Sequence, residues 1–421
     1  MKKTFLLSCL MLVAMPVMAA YTGRVYVDKN KNGVFDPGEK TWAGIKVSDG
    51  LNVVETAADG SFTLPGHERE RFIFITTPSG YKTFNRHYHK IEEKQSGYDF
   101  GLMPYSGRIR KDGSHKYIHI ADTEIFNTEN HEDWVNNVRD YARNEQAAFI
   151  IHTGDICYEK GLKAHIKLMN TENMDCPVFY CIGNHDLVKG KYGEELFESI
   201  YGPVYYSFDA GNVHYIVTPM PGGDHAPGYT ADDVCRWLKN DLAHIRPGTP
   251  VVVFNHDLLT YEDAFIFKSK NAGSINLNEH NLKAWVYGHW HINYMKKQGD
   301  VYSVCTSSLD KGGIDHSTTA FRVMHVDSKG DFTSELRYTY LDKNICIASP
   351  AGVMASGVLP VAVNVYSSVS PVKEVLYTCL ADGKPVLKNK RLLQSTDWSW
   401  NGELPLSDKY VGKELTLQVT A

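Results

Sequence analysis

Beyond its first 20 residues the sequence has no apolar run long enough to cross a bilayer, which excludes a helical membrane anchor further along the chain. It has no CxxC pair, so the zinc frameworks built on such pairs are absent. It has no internal repeat and no low-complexity block, which excludes solenoid and linker-rich architectures. An excess of either charge is lacking as well: 44 Lys+Arg against 49 Asp+Glu leave −5 with His neutral, and no basic groove for nucleic acid is evident. Of 8 Cys, removing Cys9 with the leader described next leaves Cys157, Cys176, Cys181, Cys235, Cys305, Cys346 and Cys379. That odd number excludes complete pairing within the chain and suits small core residues.

What is present is a globular composition. At 421 residues, 43% hydrophobic and 22% charged, the chain is too long for one core and predicts two or three domains. An aromatic share of 12%, with 25 Tyr, is compatible with β-rich parts. Residues 1–20, MKKTFLLSCLMLVAMPVMAA, run from Lys2 and Lys3 through an apolar core to small residues. That order predicts a secretory leader, and hence a protein exported to a bacterial periplasm or cell surface. The apolar core is too short to span a membrane, and too few apolar residues precede Cys9 for a lipoprotein cleavage box.

Three segments follow. Over 21–104, GRVYVD, IKVSDG, NVVETAADG, SFTLPG and RFIFITTPSG alternate apolar and polar residues between Gly and Pro breaks, which predicts an antiparallel β-sandwich. Over 112–342, apolar strands (YIHIA, AAFIIH, VFYCI, HYIVTP, PVVVFNH, AWVYGH) alternate with amphipathic segments such as HEDWVNNVRDYARNEQ and ADDVCRWLKNDLAHI. That alternation predicts α/β layering with polar residues gathered at the strands' carboxyl ends. Over 345–421, VAVNVYSSV, VKEVLYTCL and ELTLQVTA predict a second β-sandwich.

Five polar clusters punctuate the middle segment, each after an apolar strand: Asp122-Thr123-Glu124, Gly154-Asp155, Gly183-Asn184-His185-Asp186, Asn255-His256-Asp257 and Gly288-His289-Trp290-His291. Carboxylates, an amide oxygen and imidazoles together suit divalent ions such as Mn, Fe or Zn. Gly before a donor lets the backbone leave the strand sharply. Each cluster alone is a turn or a hydrogen-bonded core residue; their joint order at successive strand ends is what carries the metal reading.

The series D-x-E…GD…GNHD…H…GHWH resembles the calcineurin-like metallophosphoesterase family, whose pattern is D-x-H, GD, GNH-D/E, H, GHxH. YGPVYYSFDAGNVHYIV is similar to the second-sheet hairpin of that family. The resemblance spans about half the chain, residues 116–342, and implies a four-layer αββα fold holding two metal ions. It implies that Asp122 and His291 bind the first ion, Asp155 bridges both, and Asn184, His256 and His289 bind the second. Glu124 stands where the family has His; as a carboxylate it is expected to ligate and to favour harder ions such as Mn or Mg. His185 is then the expected proton donor to the leaving oxygen, with Asp186 either orienting it or solvated, and Asp257 structural. The expected activity is hydrolysis of a phosphomonoester or phosphodiester by metal-activated water. A surface protein that keeps the scaffold for binding without catalysis is the alternative, and Glu124 is the feature that keeps it open. A nuclease is disfavoured by the missing basic groove. Oligomeric state and substrate identity are left open by the sequence.

Two flanking features stand apart. DKNKNGVFDPGE places Asp28, Asn30, Asn32, Asp36 and Glu39 at positions 1, 3, 5, 9 and 12 of a loop, with Gly33 at position 6 and the Val34 carbonyl at position 7. That is calcium-loop spacing without flanking helices, and it predicts a Ca site in the first sandwich. The loop CTSSLDKGGIDHS, with His316, and the segment FNRHYHK, Phe84 to Lys90, carry polar and basic groups that read as solvated loops.

Overall fold

The computed structural model of the protein describes residues 20–95, 97–340, 343–353, 356–367, 372–396 and 398–421. The leader expected over 1–20 therefore lies outside the described residues, Ala20 excepted.

Two mixed sheets form the middle of the chain. In the first, Val178–Tyr180, Phe149–His152 and His115–Ile120 run parallel, and Ala320–Val326 and Phe332–Tyr338 complete it antiparallel. In the second, Val213–Val217, Val251–Phe254, Leu282–Tyr287 and Val301–Cys305 run parallel, edged by antiparallel Tyr206–Ala210 and Tyr294–Gln298. Phe149–His152, Val213–Val217 and Val251–Phe254 are buried at every residue. Their continuous apolar runs reflect cover on both faces, as parallel sheets require. The sheets meet through aromatic rings: Tyr117 against Phe254 at 5.8 Å, Phe149 against Phe208 at 4.9 Å, and Phe179 stacked on Phe208 at 3.8 Å.

Helices lie on these sheets by amphipathic stripes. Glu132–Asn144 buries Trp134, Val135, Val138 and Ala142, and its Tyr141 ring meets Phe321 of the first sheet at 5.3 Å. Ala231–Ala243 starts at a reciprocal cap in which Thr230 and Asp233 satisfy each other's backbone amides. Its buried Asp241 accepts from Ser207 and bonds to His214, both on the second sheet.

Before this unit, two four-stranded sheets enclose a core that includes Val25, Val47, Phe62, Leu64, Ile73 and Ile75. Arg71 links them to the middle unit, reaching Glu194 at 2.7 Å and Glu198 at 3.0 Å. After it, sheets of four and three strands pack around Val361, Val363, Val365, Tyr377 and Trp400. Among the described residues all seven cysteines are free, and only Cys346 is exposed.

Candidate metal centre

Every donor predicted for the pair of ions in the middle segment sits just past the carboxyl end of a parallel strand, where backbone turns off the sheet and side chains from both sheets converge. Asp122 follows His115–Ile120, Asp155 follows Phe149–His152, and Asn184 follows Val178–Tyr180; His256 follows Val251–Phe254, and His289 and His291 follow Leu282–Tyr287. The turns are unusually sharp. Asp122, Glu124, Asp155, His289 and His291 all hold left-handed backbone, with φ of 51°, 45°, 55°, 65° and 49°. Each such residue costs about 1 kcal/mol or more, a strain that concentrates at functional sites. The glycines allow the loops to touch. A Cβ on Gly183 would lie 2.2 Å from Asp155 Oδ1, and one on Gly288 would lie 2.5 Å from Asp122 Oδ2.

The donors gather. Asp155, His256 and His289 bring ligand atoms within 4.8 Å of one another, and Asp155 does the same with Glu124 and Cys157. His291 Nε2 lies 3.4 Å from both Asp122 Oδ1 and Glu124 Oε1. The His289 amide donates to both Asp122 oxygens at 3.1 Å, fixing that carboxylate. Glu124 spends its other oxygen on Lys311, whose ammonium also donates to the Glu124 carbonyl at 3.2 Å.

The arrangement is short of positive charge at its middle. His256 Nδ1 donates to the Thr153 carbonyl at 2.7 Å, which leaves Nε2 buried without a hydrogen-bond partner, 3.1 Å from Asp155 Oδ2. A bare imidazole lone pair facing a carboxylate is repulsive unless a cation or proton lies between them. Where no cation takes that place a proton does: burial disfavours charge on His256, but the Asp155 and Asp122 carboxylates outweigh it and push its pKa up to about 10. Burial likewise holds Asp122 above the usual carboxylate range. Asn184 Oδ1 is a second buried acceptor with no partner. Orphaned acceptors beside carboxylates and imidazoles fit divalent cations, and oxygen and nitrogen donors fit Mn, Fe, Zn or Mg.

Comparison with known proteins agrees with this geometry. Residues 115–293 match the model for calcineurin-like phosphoesterase, and residues 29–105 match the model for the N terminal of calcineurin-like phosphoesterase. The chain carries a calcineurin-like phosphoesterase domain. No curated protein matches it. A solved structure of a conserved uncharacterized protein, a predicted phosphoesterase from Streptococcus pneumoniae TIGR4, is similar at 12% identity over 53% of this chain and 98% of that one. Its TM-score of 0.26 is too low to bear on fold or function.

Within the phosphoesterase domain His185 stands at the rim, a third of its side chain exposed. Its amide donates to Asp155 Oδ1 at 3.0 Å, and its Nδ1 bonds to Asp224 Oδ2 at 2.9 Å. Burial opposes charge on His185, but Asp224 and Asp155 together raise its pKa above the ordinary value. Asp186 does not reach His185; its buried carboxylate accepts from the amides of Cys157 at 2.8 Å and Gly183 at 2.9 Å, clamping two ligand loops together. Asp257 accepts from Trp290 Nε1 at 2.9 Å, which turns the indole away between the two flanking His. Sequence reasoning missed Asp224 and Lys311, which lie 39 and 187 residues from their partners. The loop CTSSLDKGGIDHS thus supplies Lys311 to Glu124, and its Asp315 accepts from Trp398 Nε1 at 3.2 Å; the His316 carbonyl accepts from Asn364 Nδ2 at 3.4 Å. The segment FNRHYHK lies apart from the centre: Asn85, Arg86, His87 and Tyr88 line a separate cavity of about 380 Å³ with Phe179 and Phe208.

The N-terminal loop gathers its oxygens locally. Buried Asp28 accepts from the amides of Asn32 at 3.2 Å and Gly33 at 2.8 Å. Asp36 Oδ2 accepts from the side-chain amides of Asn30 and Asn32, both at 2.7 Å, which hold its carboxyl below the usual range. Glu39 accepts from the amides of Lys29 at 2.8 Å and Asp36 at 3.1 Å, and the Val34 amide donates to Asn32 at 2.9 Å. Gly33 has φ of 75°, and a Cβ there would meet the Phe84 ring at 2.5 Å.

Proposed function

We propose that the phosphoesterase domain binds two divalent metal ions and hydrolyses a phosphomonoester or phosphodiester. The observation that carries this reading is the orphaned pair of buried acceptors, His256 Nε2 and Asn184 Oδ1, beside Asp155. Asp122, His291 and Glu124 would hold one ion, Asn184, His256 and His289 the other, with Asp155 shared between them. When bound, two such ions make hydroxide available near neutral pH and take up charge on the phosphoryl oxygens. The chain's own residues do the rest. The His185 amide fixes the shared carboxylate of Asp155. Asp224 holds His185 Nδ1, which leaves Nε2 as the nitrogen able to give a proton to the leaving oxygen.

Alanine at Asp155 is expected to abolish metal-dependent hydrolysis of chromogenic phosphoesters. Alanine at His185 is expected to spare metal content and lower turnover about 10²–10⁴-fold, the usual worth of a general acid. Full activity in the Asp155 variant overturns the mechanism. A scaffold kept only for binding would take up metal and turn over no ester, so the same assay separates the two readings.

We further infer that the helix, sheet, sheet and helix contacts described above form a four-layer αββα unit over 112–342, flanked by β-sandwiches over 21–104 and 345–421. We also propose export under direction of residues 1–20, tested by the N-terminal sequence of the mature protein from a bacterial periplasm. Calcium is proposed for Asp28, Asn30, Asn32, Val34, Asp36 and Glu39. The full chain should gain thermal stability from calcium at about millimolar levels, and Asp28→Ala should lose that gain. No calcium binding in that range removes the site.

A further inference from the structure

Among the described residues, the large apolar side chains left exposed include four aromatics, Phe126, Tyr158, Tyr261 and Tyr340. Two of them stand together at the rim of the metal centre. Phe126, 55% exposed, stacks on Tyr158, 42% exposed, with ring centroids 6.2 Å apart and planes within 16°. The file continues at both ends. The Lys311 ammonium lies 6.0 Å from the Phe126 centroid while bound to Glu124, and the Tyr158 ring lies 5.3 Å from the His185 ring. Two rings held open to water between a candidate ligand and the candidate proton donor forgo burial that apolar surface ordinarily gains. The backbone is also strained to present one of them. Cys157 and Tyr158 carry φ of 78° and 54°, a region that a bulky aromatic residue rarely enters.

We propose that Phe126 and Tyr158 form a stacking platform for the group esterified to the phosphate, so that the preferred substrates carry a flat aromatic ring beside the ester. This rests on the phosphoesterase reading and names the substrate class of the same centre. An aromatic ring laid on the outer face of Tyr158, the ring beside His185, extends the Phe126–Tyr158 stack, covers apolar surface now open to water and brings its ester oxygen beside His185. A nucleotide and an aryl phosphate share this chemistry; a sugar phosphate or a glycerophosphate lacks it. Stacking of a base on an aromatic side chain is worth enough to change a rate constant ratio about tenfold to a hundredfold.

The test uses the full-length protein loaded with Mn and four esters: adenosine monophosphate against ribose phosphate, and phenyl phosphate against glycerol phosphate. The wild type is expected to favour the aromatic member of each pair in kcat/KM. Phe126→Ala and Tyr158→Ala are each expected to lower the aromatic-to-aliphatic ratio about tenfold, while Phe126→Tyr and Tyr158→Phe keep it. A fall only with adenosine monophosphate assigns the platform to nucleotides, and a fall in both pairs assigns it to aromatic esters at large. An unchanged ratio in both alanine variants overturns the proposal. So does a fall with Tyr158→Phe as large as with Tyr158→Ala, which would put the effect on the hydroxyl. So does a fall produced by Tyr261→Ala instead, since that ring stacks on Trp290 away from this file. A wild type that turns over none of the four monoesters is assayed on a chromogenic phosphodiester, and no turnover there either overturns the phosphoesterase reading. The platform is then judged on calorimetric binding of adenosine monophosphate against ribose phosphate, where no preference overturns it.

Discussion

At the scale of single residues, the centre depends on atoms that have no room to move. Gly183 has an ordinary backbone, yet any side chain there collides with Asp155 Oδ1. Gly183→Ala is therefore expected to displace the shared carboxylate and weaken metal binding at least about tenfold, read by calorimetry with Mn, while the fold is kept. Lys311 tests the role of Glu124. It occupies Oε2 and leaves Oε1 turned toward His291. Lys311→Met should free Glu124 and lower affinity for the first ion about tenfold, as loss of a partner that orients a ligand does. Lys311→Arg should restore it. Equal affinity in the Met variant would show that Glu124 needs no such hold. The six donors shared with the family pattern were legible because each follows an apolar strand, and Gly marks the turn at three of them. Asp224 and Lys311 were not, because each lies in an unpatterned loop and meets its partner only through tertiary contact.

At the scale of elements, buried charge ties strands to helices. His214, on Val213–Val217, sits between Asp209 at 2.7 Å and Asp241 of Ala231–Ala243 at 2.8 Å. Burial alone would lower its pKa, but the two carboxylates outweigh burial and raise it. Its folded value thus lies above the unfolded value of about 6.5. The stabilisation is full below about pH 6.5 and is lost as pH rises through the folded value. The stability gap between wild type and His214→Gln should accordingly be largest in mild acid and shrink toward alkaline pH, in denaturant titrations across that range. A gap independent of pH would mean that His214 is held neutral. Strands were readable where both faces are buried, as in VVVF and HYIV. Tyr88–Lys90 was not readable: FNRHYHK lacks alternation, yet it pairs with Phe72–Ile75 as the edge of a four-stranded sheet.

At the scale of the whole molecule, the N-terminal sheets meet the middle unit through apolar packing such as Phe74 against Trp237, through the Thr76–Ser207 hydrogen bond and through a buried ion pair at Arg71. Arg71 faces Glu194 and Glu198, both buried, and burial pushes the Glu198 carboxyl up to about 7 despite Arg71. Arg71→Met leaves two buried carboxylates without a cation and should cost about 3 kcal/mol in urea unfolding, most of it above about pH 7, where Glu198 is ionised. A loss below about 0.5 kcal/mol would show the pair to be solvated. The sequence pattern separated three segments but carried no signal for this joint, because Arg71 and its partners lie 123 and 127 residues apart.

Metal content of the purified full chain, dialysed against Mn and counted by mass spectrometry beside Asp155→Ala, tests the central claim most directly. Two ions per chain in the wild type and at most one in the variant is the predicted result, since Asp155 is proposed to serve both positions. A wild type that retains no ion, or a variant that retains two, contradicts it.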